Sequence, residues 1–376
     1  MSESIRKRVN ELIEIINKAN KEYYLEDTPL GKGGEGSVYS VLGEPDIAAK
    51  LYHEDVKFKT PNDRLELLGK IETMYAMNIK MEIDGILRVA WVKDILYENG
   101  VFVGFVMPRV SVPYKIFDVA RDDRQKILPN YTWKYSLQYA YNLSWVVWYL
   151  HLNDIVIGDL NMNNIAIGDK GEVVLIDCDS FDIRNRKTGQ HYPCTVGLDE
   201  MLAPELQTVG SLKNGQFTKE SDNFSLAIHI FRLLMNNTDP FGAKVTGKNV
   251  DSKTDVALNS AIINGECPYF RTIPGKIVPE YAPKLEILPP DIAAAFERTF
   301  NYTPTNALRN ITNRTTAEEW NRLLLKYAQA EPNPHLKTCR KHANHVYSAH
   351  LNTCPFCEKT KKMKAKNFWD TLKGCF

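Results

Sequence analysis

The chain has 376 residues, of which 44% are hydrophobic and 25% charged, and its 47 basic and 46 acidic residues leave a net charge of +1. This composition is typical of a globular protein and gives no overall field that would attract nucleic acid. No apolar run approaches the roughly 18 residues that a membrane helix needs, and the first residues lack the apolar core of a secretory signal. We expect a cytoplasmic protein with one large two-lobed domain and a small appendage.

The first predicted element is an amphipathic helix over residues 1–22, because apolar residues there recur at helical spacing. A strand-rich region follows at 23–109, with "SVYSVL", "IAAKLYH", "ILRVAWVK" and "VFVGFVMP" as strands and one helix around 62–78. Helices dominate from about residue 132 to 328. The pattern predicts an α+β fold in which a small β lobe precedes a larger helical lobe. The residues that define the first helix are Ile5, Val9, Leu12, Ile13 and Ile16.

A glycine-rich segment, "GKGGEGSV", lies between two strand-like segments. Gly31, Gly33 and Gly36 precede Val38 in the pattern G-x-G-x-x-G-x-V, which is weak evidence alone because flexible turns also collect glycines. A strand on each side argues against the strand-to-helix turn of a dinucleotide site. The segment favours a hairpin whose backbone N–H groups fold over phosphates.

A single lysine, Lys50, interrupts the apolar strand "IAAKL". Burying an ammonium group is costly unless the group is paired. Lys50 is therefore either an edge-strand residue that reaches water or a phosphate-binding lysine held by a helix carboxylate. The helix around 62–78 offers Glu66 and Glu72, and we favour Glu72 as the partner.

Three polar residues follow short apolar runs in the second lobe: Asp159 and Asn164 in "VIGDLNMNNIAI", and Asp177 in "LIDCDSF". We predict a hairpin with strands at 156–157 and 165–167, and turn chemistry alone would explain Asp and Asn between them. The order acid, amide, acid also suits phosphoryl transfer. In that reaction an acid orients the acceptor hydroxyl, while an amide and a second acid hold Mg²⁺ against the phosphates.

Together these motifs resemble the protein kinase family over roughly residues 25–328. The strand lysine, the catalytic loop and the metal-binding acid match in order, and "APE" at 203–205 matches the end of the activation segment. The helix "SDNFSLAIHIFRLL" resembles the one whose acid, here Asp222, holds the catalytic-loop backbone. By the same resemblance, Arg314 in "NRTTAEEW" pairs with Glu205 of "APE".

The resemblance implies a two-lobed protein kinase-like fold, with an N-lobe at 23–109 and a C-lobe at 110–328. It implies transfer of the γ-phosphate of ATP to Ser or Thr of a protein substrate, the chain itself included. Lys50 would bind the α and β phosphates, Asp159 would orient the acceptor, and Asn164 and Asp177 would hold Mg²⁺. The remaining nucleotide-binding residues implied are Gly31, Gly33, Gly36, Val38, Ala48, Glu72, Met107 and, at the hinge, Val110.

Two motifs depart from the family pattern. H-R-D is "IGD" here, with Gly158 before Asp159, and the usual lysine two positions later is Asn161. D-F-G is "DCD", with Cys178 and Asp179, and Asp179 is a further candidate ligand. Without the arginine, we do not expect activation-segment phosphorylation to switch the protein on. Two alternatives stay open: a nucleotide-binding pseudokinase scaffold, and a small-molecule kinase resembling aminoglycoside or choline kinases.

A cluster of cysteines and histidines, "CRKHANHVYSAHLNTCPFC", follows a proline-containing linker at 329–337. Clustered cysteines without an export signal favour a metal over disulfides, and so short a segment has too little core to fold unaided. We predict a zinc ribbon at 338–358. Its ligands would be Cys339, Cys354, Cys357 and His345, or His342 in place of His345. The preference for His345 rests on resemblance to the ribbon of one kinase subgroup.

The last segment, 359–376, is rich in lysine, with Phe368 and Trp369 among the lysines. Such a tail could bind nucleic acid, although we favour a solvated tail or docking peptide. "GDLNMNN", "IDCDSF" and the cysteine cluster resemble a bacterial kinase subgroup linked to tellurite-resistance-type proteins. That resemblance implies a von Willebrand A protein and a PP2C-like phosphatase as partners.

Overall fold

The first lobe is built on a seven-stranded antiparallel sheet with the order β2-β1-β8-β9-β5-β4-β3 in a computed structural model. A separate pair, β6 and β7, lies outside this sheet. The strands of the lobe are β1 (Ile13–Ile16), β2 (Glu22–Leu25), β3 (Gly31–Lys32), β4 (Gly36–Ser40), β5 (Ile47–Tyr52), β6 (Glu82–Ile83), β7 (Ile86–Leu87), β8 (Asp94–Glu98) and β9 (Val101–Pro108). The structure describes residues 13–121, 124–212, 216–246, 257–306, 310–330 and 332–357.

The N-terminal helix predicted over 1–22 is wrong where the structure describes the chain, because β1 pairs with β2 and with β8. The β1–β2 turn is stabilised by Asn17, whose side-chain oxygen accepts from two backbone N–H groups, and by Asn20 in a left-handed conformation. Asn tolerates that conformation well. Ile15 is buried with Tyr23 in a cluster on the sheet. The part of the predicted helix at 1–12 lies outside the described residues.

Helix α2 (Pro61–Met77) packs against the sheet, close to the predicted span of 62–78. It follows the short helix α1 (Glu54–Lys57). Its start is fixed by a capping box between Thr60 and Asp63 and by proline in the first turn, which together satisfy free N–H groups. Its buried face includes Ile71 and Met74, which join the main core of the protein.

The second lobe is helical, as predicted. Helix α4 lies at its centre and packs against α6 and α9, and its apolar face at residues 143–150 is fully buried. The helices are α3 (Ile116–Ala120), α4 (Trp133–Leu152), α5 (Pro204–Gln207), α6 (Lys219–Leu234), α7 (Leu258–Ile263), α8 (Pro290–Phe300) and α9 (Ala317–Ala328). Its strands are β10 (Tyr114–Lys115), β11 (Ile165–Ile167), β12 (Val173–Leu175), β13 (Ile183–Arg184), β14 (His191–Tyr192), β15 (Lys244–Val245) and β16 (Lys276–Ile277).

The hairpin predicted at 156–167 is wrong in its pairing. Strand β11 is present, but it pairs with β10 and β12, whereas Val156 makes only a single bridge, to Asp182. The intervening segment ends in a 3₁₀ turn at Met162–Asn164, capped by the side chain of Asn161. The two apolar runs therefore belong to different pairings.

The cysteine-rich segment begins with strand β17 (Leu336–Thr338), which pairs with β18 (Val346–Ser348). The predicted linker at 329–337 is therefore too long, because its last two residues lie in β17. The cysteine-rich segment packs on the second lobe, where Leu336 and Phe356 contact the main core and His350 Nε2 lies 3.1 Å from the carbonyl oxygen of Glu286. The predicted basic tail at 359–376 lies outside the described residues. Within the described part of the chain, no helix combines the length and apolar character needed to cross a bilayer.

Candidate active site

A cleft of about 740 Å³ lies between the two lobes, and most of the sequence-predicted nucleotide residues line it. On the side of the first lobe the walls include Val38 and Ala48, which lie on neighbouring strands. Met107 pairs with Ala48 across β5 and β9, and Val110 follows two residues after that strand ends. Met107 and Val110 therefore lie where a connection between the lobes borders the cleft.

The glycine-rich segment forms the turn between β3 and β4 over this cleft. The N–H of Gly33 donates to the Gly36 carbonyl oxygen at 2.9 Å, which closes the turn. A Cβ added at Gly31 would meet no atom within 4 Å, whereas one at Gly36 would lie 2.6 Å from the Leu51 carbonyl oxygen. Gly36 is thus required by close strand packing, and Gly31 leaves open space beside the cleft.

Lys50 lies at the inner end of the cleft and is paired with two carboxylates. Its Nζ donates to Asp179 at 2.7 and 2.9 Å and also to Asp177. The hydroxyl of Tyr52 donates to the same Asp179 carboxylate at 2.8 Å. Burial opposes the charge on Lys50, but the two carboxylates raise its pKa. Burial likewise opposes ionisation of Asp179, and Lys50 with Tyr52 nevertheless holds its pKa below the usual value.

The structure does not bring Lys50 and Glu72 together. The Glu72 carboxylate accepts instead from Lys18, and Glu66, the alternative, accepts from Asn62 at 2.9 Å on the exposed face of α2. The buried face of the same helix presents Lys70, whose pKa is lowered by burial. The prediction failed because helical spacing alone did not identify which face of α2 is buried.

Asp159 and Asn164 lie on the opposite wall of the cleft from the sheet. Asp159 Oδ2 accepts from Asn161 at 2.8 Å and from Asn164 at 3.3 Å, and burial raises the Asp159 pKa. Asp177 has a left-handed backbone, with φ of 63°, which is uncommon outside glycine and frequent at functional sites. Burial, reinforced by the charge of Asp179, raises the pKa of Asp177.

Buried polar contacts fix the backbone of the loop that carries Asp159. Asp222 accepts from the backbone N–H of Ile157 at 2.7 Å and of Gly158 at 2.9 Å, as the resemblance implied. His229 Nε2 lies 2.8 Å from the Leu160 carbonyl oxygen, immediately after Asp159. These contacts come from α6, so the loop is held from the side away from the cleft.

The pair predicted between Arg314 and Glu205 is confirmed. The guanidinium donates through two nitrogens to the two carboxylate oxygens at 2.7 and 2.6 Å, and its side chain is fully buried. This fork geometry is specific to arginine. It joins the end of the activation segment to the segment before α9.

Sequence reasoning missed the basic residues other than Lys50 that line the cleft, which are Lys32, Arg109 and Lys115. Lys115, at the end of β10, lines the cleft, and its Nζ donates to the Asn163 carbonyl oxygen at 2.7 Å. Asp118 and Asp177 attract the group, but burial lowers its pKa. Nothing in the local pattern around Lys115 distinguished it from a surface lysine, because its position depends on the pairing of β10 with β11.

A protein kinase domain model matches residues 24–274, which include all of the cleft residues described above. The chain belongs to the protein kinase domain family. Two curated relatives, both named protein kinase YegI, come from Escherichia coli strain K12 and Escherichia coli O157:H7 and are each 32% identical over 333 residues. The match covers 87% of this chain but 47% and 48% of the relatives, so the chain spans about half their length.

A second group of potential ligands lies beyond the kinase domain match, in the cysteine-rich segment. Atoms of Cys339, His345, Cys354 and Cys357 lie within 4.8 Å of one another. Cys339 Sγ is 3.6 Å from Cys357 Sγ, and His345 Nδ1 is 3.6 and 3.5 Å from the sulfurs of Cys354 and Cys357. His342, the alternative ligand, is outside this group.

These separations fit a tetrahedral metal site. With zinc–sulfur bonds of about 2.3 Å and zinc–nitrogen bonds of about 2.0 Å, ligand atoms lie roughly 3.5–3.8 Å apart. Three thiol groups and one imidazole also match the ligand set of structural zinc. The Cys339 N–H donates to the His345 carbonyl oxygen at 2.8 Å, so two of the candidate ligand residues are also joined through the backbone.

Proposed function

We propose that this chain is an ATP- and Mg²⁺-dependent protein kinase that transfers phosphate to Ser or Thr of a protein substrate. The observation that carries the proposal is the convergence of Lys50, Asp159, Asn164 and Asp177 on one cleft beneath a glycine-rich turn. Membership of the protein kinase domain family supports the reaction class. The choice of Ser or Thr rests on the resemblance alone.

The proposed roles are those that the resemblance implies, and the positions of the residues in the cleft support them. Adenine would lie between Ala48 and the segment from Met107 to Val110, where the backbone after β9 borders the cavity. The phosphates would lie beneath the glycine turn, within reach of Lys50. Asp159 would accept a hydrogen bond from the acceptor hydroxyl and hold it in line with the γ-phosphate.

Asn164 and Asp177 are the residues that would hold Mg²⁺, since both offer oxygen ligands to the same part of the cleft. When bound, the cation would neutralise charge on the phosphates. The raised pKa of Asp177 fits such a site, because a carboxylate that is disfavoured as a free anion gains most from a nearby cation.

The test is transfer of radiolabelled γ-phosphate from Mg-ATP to the protein itself and to a generic basic protein substrate. Wild type would be compared with Asp177→Ala, and with Glu72→Ala as a matched loss of an acid that the structure places outside the cleft. We expect label on Ser or Thr in wild type and in Glu72→Ala, and none in Asp177→Ala.

Other outcomes would favour the alternative readings. ATP binding without any transfer would indicate a nucleotide-binding scaffold, and transfer only to an added sugar, choline or aminoglycoside would indicate a small-molecule kinase. Equal label in wild type and Asp177→Ala would mean that the activity does not belong to this cleft.

We also propose a structural zinc ion bound by Cys339, His345, Cys354 and Cys357. The tetrahedral spacing of their ligand atoms supports it. The ion would contribute folding energy to a segment with little core of its own. On the resemblance alone, a von Willebrand A protein and a PP2C-like phosphatase are proposed as partners.

A further inference from the structure

In the described part of the chain, the buried carboxylate that contacts Lys50 comes from the turn after the metal-binding acid and not from helix α2. Asp179 is buried and accepts two hydrogen bonds from Lys50 Nζ and one from Tyr52. We infer that Asp179, supported by Tyr52, is the positioning residue that holds Lys50 in place for the nucleotide phosphates. This inference rests on the proposed function and adds to it the means by which Lys50 is oriented.

Asp177 is less suited to this task although it also contacts Lys50. Its side chain is 41% exposed, whereas that of Asp179 is 2% exposed. Asp177 faces the cleft, where it would be needed by Mg²⁺. Asp179 does not line the cleft, so its bonds to Lys50 can persist when a nucleotide and cation are bound.

Helix α2 supplies no carboxylate to Lys50 in the described structure. Its two candidates, Glu66 and Glu72, contact Asn62 and Lys18 at the surface. The charged residue on the buried face of α2 is Lys70, which Asp179 attracts electrostatically. The buried face of α2 therefore carries a basic residue and offers Lys50 no carboxylate.

The turn that carries Asp179 is itself fixed by local bonds. The thiol of Cys178 donates to the Ala90 carbonyl oxygen at 3.0 Å, and the N–H of Ser180 donates to the Asp177 carbonyl oxygen at 3.1 Å. The hydroxyl of Ser180 donates to that same carbonyl oxygen at 2.8 Å. Asp179 therefore has a defined orientation that does not depend on where α2 lies.

The test is a double-mutant cycle on nucleotide affinity, measured by calorimetric titration of the full chain with Mg-ADP. The four proteins are wild type, Asp179→Asn, Lys50→Met and the double variant. We expect Asp179→Asn to weaken binding about 10- to 100-fold, the range for loss of a charge-assisted hydrogen bond. In the Lys50→Met background the same change should have little further effect, because the partner is already absent.

Three further variants separate positioning from folding. Asp179→Glu, which keeps the charge, should recover part of the affinity, whereas Glu72→Ala should bind like wild type. Thermal unfolding of each protein would show whether Asp179→Asn remains folded, and Tyr52→Phe offers a milder perturbation of the same carboxylate. We expect Tyr52→Phe to weaken binding only in the presence of Lys50.

The outcomes distinguish this inference from the proposed function. Independent, additive effects of the Asp179 and Lys50 changes would overturn the inference and leave the kinase proposal intact. Coupled effects in a protein that transfers no phosphate would support the inference and overturn the kinase proposal. Failure of wild type to bind Mg-ADP would overturn both.

Discussion

Gly158 lies directly against Cys194: a Cβ added at Gly158 would be 2.7 Å from both the Cβ and the Sγ of Cys194. Gly158 also has a left-handed backbone, with φ of 73°. The position that is arginine in the family's H-R-D motif is therefore occupied by the one residue type that satisfies both the backbone and the packing. Glycine in place of the arginine therefore leaves the space in which the buried side chain of Cys194 packs.

We expect Gly158→Ala to lower the free energy of unfolding by about 2–4 kcal/mol, combining backbone strain with overpacking. Gly43→Ala is the matched control, because Gly43 has φ of 79° but no atom within 4 Å of an added Cβ. Gly43→Ala should lower the free energy of unfolding only by the contribution of backbone strain, about 1 kcal/mol. Urea unfolding would measure both, and equal losses would contradict the role of Cys194. Gly158→Arg should destabilise the protein without raising activity.

Acid should destabilise the protein through His229. Burial lowers the pKa of His229 from 6.5 to about 4, so the unfolded chain binds the proton more readily than the folded protein does. Stability from this group is complete above pH 6.5 and decreases as the pH falls toward 4. The full effect is about 3 kcal/mol, since each pKa unit corresponds to about 1.4 kcal/mol.

The measurement is the free energy of unfolding in urea at several pH values across this window. His229→Gln should show a shallower decline because it removes the titrating ring. His335→Gln, which changes an exposed histidine, should decline as steeply as wild type. A wild-type slope no steeper than that of His229→Gln would contradict the assignment.

Replacing Lys70 with methionine should stabilise the protein. Lys70 is buried on α2, and among the described residues no hydrogen bond or ion pair to its Nζ is found. Burial lowers its pKa against the opposing attraction of Asp179 and Asp182. Lys70→Met keeps an unbranched side chain of similar length and removes the charge. We therefore expect the free energy of unfolding to rise by about 1–3 kcal/mol near neutral pH.

The gain from Lys70→Met should shrink as the pH rises toward 10.5, the ordinary value for lysine. The folded protein releases the proton first, so wild type becomes more stable with rising pH while the variant does not. Lys59→Met, at an exposed position, should change stability by less than about 0.5 kcal/mol. A loss of stability in Lys70→Met would show that Lys70 has a stabilising partner.

The metal proposal predicts one zinc ion per chain, measured by mass spectrometry of the purified protein. Cys354→Ser should lose the ion, whereas His342→Ala should keep it, because His342 lies outside the ligand group. A chelator should make the segment around β17 and β18 sensitive to protease, since zinc supplies much of its folding energy. Zinc retained by Cys354→Ser and lost by His342→Ala would favour the alternative ligand set.

Much of the fold was predictable where periodicity is local. The segment "VFVGFVMP" coincides with β9, and "IAAKLYH" contains β5, because each combines strand-forming residues with clear boundaries. The motif order indicated which residues would form the candidate site, and the structure brings Lys50, Asp159 and Asp177 to one cleft.

Non-local pairing explains what sequence reasoning missed. Strand β1 pairs along its length with β2 and is joined to the rest of the sheet through Ile16 and Tyr97, about eighty residues apart, and its branched apolar residues fit either period. The partner of Lys50 likewise comes from Asp179, more than a hundred residues later. The helical pattern of residues around Glu72 contains no information about that distant turn.

The bond between Lys50 and Asp179 also joins the two halves of the molecule, because β5 belongs to the first lobe and the turn of Asp179 to the second. A lysine paired within its own lobe would leave the lobes free to separate around the nucleotide. Here the cleft can open fully only if a buried, multiply bonded ion pair breaks. On the proposed function, we expect release of the nucleotide to be slow, because full opening of the cleft requires this bond to break.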